Sequence, residues 1–520
     1  MRSRQPTGSA DGWPGRRRLT RREVLLAGTG VLGAAGVGVL AAGPGAAATP
    51  IGPHSGQVRA VDAGRVRSGR TVELTRTAQV ADVHLGGGQA ASTWVYDGQL
   101  PGPEIRVRRG DVLRLRLANQ LPDPTGIHWH GLAIRNDMDG VPGVTMPLVS
   151  PGAGFGYDFV VPDAGTYWYH SHVGLQLDRG LYGALIVEDP NEPSPYDRDT
   201  TLIFDDWLDG IGQTPQSVYD TLRRTGMTAM GSAGMTAMGS AGMSGPAAGA
   251  VPSSLGGDAG DVRYPLLLVN GKNPADPSLV IARPGQRLRL RLVNAGADTA
   301  FRVAVGGHRL TVTGADGFPV RPVVVDTLLI GMGERYDVLV TAGDGVFPIV
   351  GYAEGKGGTA LAVLQTSSGA RPPAGVLPRE LTGRMLAYTD LQPAAGTGLA
   401  ERPAASTLPV ALSFDGNGYR WMINGRTFDN SKPLRVRSGQ RVQLSFRNNT
   451  MMFHPMHLHG HTFALNPPAG PGTRKDTVII KPMQTVTVEL DAANPGQWVL
   501  HCHNAYHQEG GMMTTLSYVA

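Results

Sequence analysis

The single cysteine of this 520-residue chain sits in the run His501-Cys502-His503-Asn504-Ala505-Tyr506-His507-Gln508-Glu509-Gly510-Gly511-Met512. Cys502, His507 and Met512 offer a thiolate, an imidazole and a thioether. That is the donor set of a blue-copper electron-transfer site, short of one more histidine. His501 and His503 flank the cysteine directly. In an extended run, side chains alternate in direction, so both imidazoles point away from the sulfur. A metal on the thiolate would then be joined through a few covalent bonds to metals on the two imidazoles. The plainer reading, a buried cysteine with incidental histidines, requires three histidines and a methionine to gather around a sole cysteine by chance.

The elements that position this run show in a threefold internal repeat. Gly110–Asn119 (GDVLRLRLAN) alternates apolar and polar residues, as a half-buried strand does. The pattern returns in Gly285–Asn294 (GQRLRLRLVN) and in Gly439–Asn448 (GQRVQLSFRN). Upstream of each copy lies a turn dipeptide: Asp97-Gly98, Asn270-Gly271 and Asn424-Gly425. Three homologous β domains follow from this, over residues 54–189, 200–365 and 383–520, with Pro- and Gly-rich linkers between them. Nine residues after Asn119 stands His128-Trp129-His130, and nine after Asn448 stands His457-Leu458-His459. The matching positions after Asn294 are Val303 and Val305. The middle copy folds without the His pairs, so they serve something other than folding. Domains 1 and 3 are expected to face each other and share metals, with domain 2 a spacer. Domain 1 adds His170-Ser171-His172, two histidines on one face if that segment is a strand.

The N-terminus reads as an address. Residues 1–48 carry Arg16-Arg17-Arg18-Leu19-Thr20-Arg21-Arg22, an apolar Gly/Ala-rich run and then Ala46-Ala47-Ala48. Thr20-Arg21-Arg22-Glu23-Val24-Leu25 is similar to a twin-arginine export signal, which implies contact with the twin-arginine translocase and an exported mature chain. An ordinary secretory signal is the alternative, and a permanent membrane span is disfavoured by the glycines. This segment holds seven Arg against Asp11 and Glu23, which accounts for the whole formal charge of +5. The remainder is near neutral, so charge gives no pointer to nucleic acid. Domain 2 contains an exact repeat, TAMGSAGM, within residues 227–243. It reads either as a thioether loop that captures soft Cu(I) or as a low-complexity insertion grown by repeat slippage. His308, in Gly306-Gly307-His308, reads as structural or exposed.

Four motifs together resemble the three-domain multicopper oxidases, and exported actinobacterial members linked to copper tolerance in particular. They are His128-Trp-His130-Gly, His170-Ser-His172, His454-Pro-Met-His457-Leu-His459-Gly, and His501-Cys502-His503-x3-His507-x4-Met512. The resemblance covers essentially the whole chain after residue 48. It implies an all-β protein of three cupredoxin-like Greek-key β-sandwich domains. It implies four copper ions: a type 1 copper on His454, Cys502 and His507 with Met512 axial, a type 2 copper on His128 and His457, and a type 3 pair on His130, His170, His172, His459, His501 and His503. Substrate would be oxidised one electron at a time at the type 1 copper, and O2 reduced to water at the other three. Electrons would cross through Cys502 to His501 and His503. Asp139 matches an acidic residue near the type 2 copper that could orient water or relay protons; its plainer reading is a turn residue in Asp139-Gly140. Many relatives carry a carboxylate directly after the type 1 histidine. Here that position is Gln508, with Glu509 next, and alternation on a strand would point Glu509 elsewhere. The candidate reductants are Cu(I), suggested by the Met-rich insertion with Met451 and Met452, and Fe(II) or phenols. A laccase-type phenol oxidase and a non-enzymatic copper-binding scaffold are the alternatives.

Overall fold

The structure, a computed structural model, describes residues 49–190, 192, 196–225, 251–416, 418–465 and 472–520. The expected signal (1–48) and the Met-rich repeat (227–243) lie outside the described residues. The rest is built from six sheets that pack as three sandwiches of cupredoxin-like Greek-key topology. The sheets hold four and four strands in the first sandwich, and six and five in each of the other two.

The three repeat copies form the equivalent strands Val112–Asn119, Arg287–Asn294 and Arg441–Asn448. Each pairs in parallel with the first long strand of its sandwich: Thr71–Gly86, Arg198–Trp207 and Ser406–Asp415. The three turn dipeptides are equivalent as well. Both residues of each have positive φ (53° and 75°, 51° and 73°, 53° and 71°). That is the demand of a two-residue turn whose twist matches the strands it joins, and Asp/Asn-Gly meets it at least steric cost. The asparagine ending each strand does the same work three times. Asn119 Nδ2 donates to the carbonyls of Asp123 and Val149, Asn294 Nδ2 to those of Thr299 and Ile330, and Asn448 Nδ2 to those of Met452 and Ile480. Each Oδ1 accepts the amide two residues on. One buried side chain thus satisfies the backbone where the chain leaves one sheet for the other.

The middle copy departs from alternation, since nearly the whole strand Arg287–Asn294 is buried. Its outward arginines are covered by neighbours. Arg291 donates to Thr166 Oγ1 of the first sandwich and to Asp199, and Arg289 to Tyr196. A second departure is the excursion between Trp207 and Leu266. It holds the helix Pro215–Thr225, and its Val218, Leu222, Leu255 and Val262 join the core of the third sandwich beside Met452, Phe453 and Met512. Among the described residues, no helix is long and apolar enough to cross a membrane.

Candidate metal centres

Cys502 ends the strand Gln497–Cys502, which lies beside His454–Leu458 with Cys502 opposite Met456 and His501 opposite His457. The sulfur stands 3.6 Å from Nδ1 of both His454 and His507, and those two nitrogens are 3.1 Å apart. His454 is the second imidazole that the run around Cys502 lacked. Each ring is held from behind. His454 Nε2 lies 2.8 Å from Thr450 Oγ1, and His507 Nε2 lies 3.1 Å from Asp261 Oδ2. Trp421 stacks on His507 with ring centroids 3.8 Å apart. Met512 is fully buried; its amide donates to the His507 carbonyl, and its own carbonyl accepts from Cys502. His507 comes from the short helix Ala505–Glu509 rather than from a continued strand. Asn504 causes this: its side chain accepts from the amides of Tyr506 and His507, the geometry of a helix N-cap. Gln508 and Glu509 therefore sit on the outer turns of a helix, and the strand alternation expected of them does not apply.

Behind the cysteine, eight histidines from the first and third sandwiches converge. Donor atoms of His130, His170 and His503 lie within 4.8 Å of one another, as do those of His172, His459 and His501, and those of His128, His130 and His457. His501 and His503 thus join different groups, on the side of the backbone away from the sulfur. His170 ends the strand Gly165–His170, and His172 lies beyond it. The two do not share one strand face as expected; they reach separate groups.

In His128, His130, His170 and His457 one ring nitrogen has a partner and the other lacks one, which is the pattern of rings aimed at a metal, and the Nε2 atoms of His172 and His459 converge on that of His501 at 3.4 and 3.0 Å. Nδ1 of His128, His170, His457 and His501 donates to the backbone carbonyls of Asp139, Ser171, Asp476 and Cys502. The buried Nε2 of His128, His170 and His457, Nδ1 of His130 and both nitrogens of His503 have no hydrogen-bond partner. A buried polar atom without a partner is costly unless something else satisfies it. Burial holds His130, His170, His454, His457, His459, His501 and His503 below the ordinary histidine pKa, and brings His172 down to about 3. The rings are therefore neutral, the form that ligates metal. Burial also pushes the Cys502 thiol up, so a metal taking the thiolate must displace its proton. Soft thiolate with imidazoles at one centre, and all-imidazole donors at the other, suit copper.

Two buried carboxylates brace the cluster, each on its own pair of rings. Asp139 Oδ2 lies 3.0 Å from His459 Nδ1, and its Oδ1 lies 3.3 Å from His128 Nδ1. Asp476 Oδ1 lies 3.1 Å from His130 Nε2 and 3.3 Å from His457 Nδ1. Each bridges one histidine of the first sandwich and one of the third. Sequence reasoning found Asp139 and missed Asp476 and Asp261. The ten predicted histidine ligands and Cys502 fall in the groups above. Met451 is exposed, whereas Met452 is core. His308 is structural: Gly343 donates to its Nε2, and its Nδ1 donates to the Gly306 carbonyl.

Family models described as multicopper oxidase match residues 77–192, 198–369 and 402–519. The chain belongs to the multicopper oxidase family, whose members are copper-dependent oxidoreductases. Among individual relatives, it is 47% identical to the multicopper oxidase MmcO of Mycobacterium tuberculosis over 97% of both chains. It is 29% identical to copper resistance protein A of Escherichia coli, over 80% of this chain and 87% of that one. It is 30% identical to the laccase of Phlebia radiata, over 80% and 84%. The solved laccase of Botrytis aclada superposes with a TM-score of 0.70 at 26% identity, covering 89% and 90% of the two chains.

Proposed function

We propose that this enzyme oxidises a small metal ion, Cu(I) foremost, at the Cys502 centre and passes the electrons to O2 at the histidine cluster. The observation that carries the choice of substrate is the environment of His507. Its ring is fully buried, and its outer nitrogen meets the carboxylate of Asp261. Asp261 belongs to the excursion packed over the third sandwich, and Tyr419 donates to the same oxygen. An anionic group over a closed site suits a cation better than an aromatic ring, which needs an open apolar cleft. The similarity to MmcO and to copper resistance proteins supports the same reading.

In this reading His454, Cys502, His507 and Met512 would hold the type 1 copper, His128 and His457 the type 2 copper, and His130, His170, His172, His459, His501 and His503 the type 3 pair. Copper supplies one-electron redox chemistry at the first centre and, at the second, the reduction of dioxygen to water. The chain does the rest. Thr450 and Asp261 fix the two imidazoles of the thiolate centre before metal binds, so little must rearrange when charge changes there. Cys502 links that centre through its own backbone to His501 and His503. Asp139 holds His128 and His459, and is placed to orient water or pass protons beside them. The residue directly after His507 is Gln508, and Glu509 beyond it is exposed, so Asp139 carries more of that task here than in relatives with an acid at the position of Gln508. Residues 54–189, 200–365 and 383–520 are the three domains, and residues 1–48 act as a twin-arginine signal that directs the enzyme out of the cytoplasm.

The test is oxygen uptake by one copper-loaded preparation with Cu(I), Fe(II) and a phenol in turn. The reading expects the highest kcat/KM with Cu(I). A phenol oxidised with higher efficiency in the absence of added copper would make the enzyme a laccase instead. Loss of oxygen uptake in Cys502→Ser is expected in either case, and absence of uptake by the loaded wild type would leave only a copper-binding scaffold.

A further inference from the structure

The middle sandwich gives the cluster no histidine, yet its Gly333 forms part of the cluster wall. A Cβ placed on Gly333 would stand 2.8 Å from His503 Cδ2 and 3.0 Å from His130 Cε1. Two residues on, Arg335 is fully buried. Its Nη1 and Nη2 donate to the two oxygens of Asp476 at 2.7 and 2.6 Å, and its Nε donates to the Thr166 carbonyl at 3.1 Å. One guanidinium therefore ties the second sandwich to both of the others, directly behind the carboxylate that contacts His130 and His457.

The orientation of His130 is what this tie decides. Of the four cluster rings with a single partnerless nitrogen, His128, His170 and His457 leave Nε2 free, and His130 leaves Nδ1. The three that present Nε2 are held by backbone carbonyls close in sequence or across the strand pair. His130 has no carbonyl; its outer nitrogen meets Asp476 Oδ1 and, at 3.3 Å, Thr477 Oγ1. An imidazole has two ring settings of similar intrinsic energy, and the outer hydrogen bond selects between them. A lone carboxylate could swing away from the ring. A carboxylate gripped at both oxygens by a planar fork cannot.

We infer that Arg335 is a positioning residue for the copper cluster: it locks Asp476, and through it the nitrogen that His130 turns inward. Domain 2 is then part of the oxygen-reducing site. The inference rests on the reading that the histidine cluster binds copper. It assigns to Arg335 a role that charge alone does not fill, because lysine lacks the fork.

The test uses the full chain with Arg335→Lys, Asp476→Asn and Glu334→Gln. Glu334 is the control: it is on the same loop, fully buried and paired with Lys475 at 3.0 Å, with Tyr388 donating to it, and it has no bond to Asp476. Copper affinity of the cluster is measured by competition with a chelator, the non-blue copper by electron paramagnetic resonance, and folding by melting of the metal-free protein. Arg335→Lys should weaken cluster copper by about 10-fold or more, the range for a lost outer partner of a metal-bound histidine. Its resonance spectrum should change while the visible absorption of the thiolate centre stays. Asp476→Asn should do the same, which keeps the test open if Arg335→Lys does not fold. Glu334→Gln should match the wild type in copper affinity and spectrum, even where the lost Lys475 pair lowers its melting temperature. Wild-type affinity and spectrum in both Arg335→Lys and Asp476→Asn would overturn the inference, as would an equal loss in Glu334→Gln, which would reduce the loop to general packing. A wild type that never fills the cluster would instead remove the copper reading beneath it.

Discussion

Replacing Asp261 by Asn is the sharpest probe of substrate choice. Asn keeps the side-chain shape and can still accept from Tyr419, but it removes the negative charge 3.1 Å from His507 Nε2. A monovalent cation about 4 Å from that carboxylate would gain about 4 kcal/mol in a medium of effective dielectric about 20. Desolvating the ion takes back part of this, and contacts to charged groups commonly net about 1.5–3 kcal/mol. KM for Cu(I) should therefore rise about 10- to 100-fold, with kcat changed less. A neutral phenol has no charge to lose, so its kinetics should move by no more than about twofold on the same scale. The assay is steady-state oxygen uptake with each substrate. If Cu(I) kinetics stay at wild-type values, the carboxylate is not part of the substrate path. If Cu(I) and phenol change by one common factor, Asp261 acts on the copper centre and the argument from charge is refuted.

Other consequences follow from the same structure. Asn448→Ala and Asn294→Ala each strand buried carbonyls and should cost about 1–3 kcal/mol in denaturant unfolding. Only Asn448→Ala should also shift the visible absorption of the thiolate centre, because Thr450, which contacts His454, is bonded to Asn448 Oδ1. Asp178 is held above the usual carboxylate range by burial and by the neighbouring Asp206. Its native form binds more protons than the unfolded chain, so this group costs stability as pH rises above about 4. Asp178→Asn should therefore melt higher than wild type near neutral pH, with the gap closing at about pH 4 and below; a gap that does not change with pH would contradict the assignment. Deleting residues 227–243 should lower the efficiency of Cu(I) oxidation without changing that of a phenol, if the methionines capture the ion; unchanged Cu(I) kinetics would favour repeat slippage.

Local spacing made much of this architecture legible. Gly110–Asn119 and its two copies revealed three β units because a half-buried strand must alternate and a two-residue turn must take Asp/Asn-Gly. The His pairs stood out because Val303 and Val305 occupy their places in a copy that forms the same kind of sandwich. The helix carrying His507 was hidden, since one capping residue, Asn504, overrides the strand that precedes it. The outer partners were hidden for a different reason. Asp261 meets His507 across 246 residues, Asp476 meets His130 across 346, and Arg335 meets Asp476 across 141. No periodicity encodes contacts of that range. They also explain why domain 2 looked like a spacer: it lacks ligands, and its part is played by the arginines that bind it to its neighbours and by the loop behind His130.

The proposed reaction takes electrons singly at Cys502 and releases them together at the histidine cluster. Its most direct measurement is the ratio of Cu(I) oxidised to O2 consumed by the copper-loaded enzyme, with hydrogen peroxide measured alongside. Reduction of O2 to two waters takes four electrons, so four Cu(I) per O2 and no peroxide is the predicted result, abolished in Cys502→Ser. Two Cu(I) per O2 with peroxide released, or a ratio that survives Cys502→Ser, would contradict it.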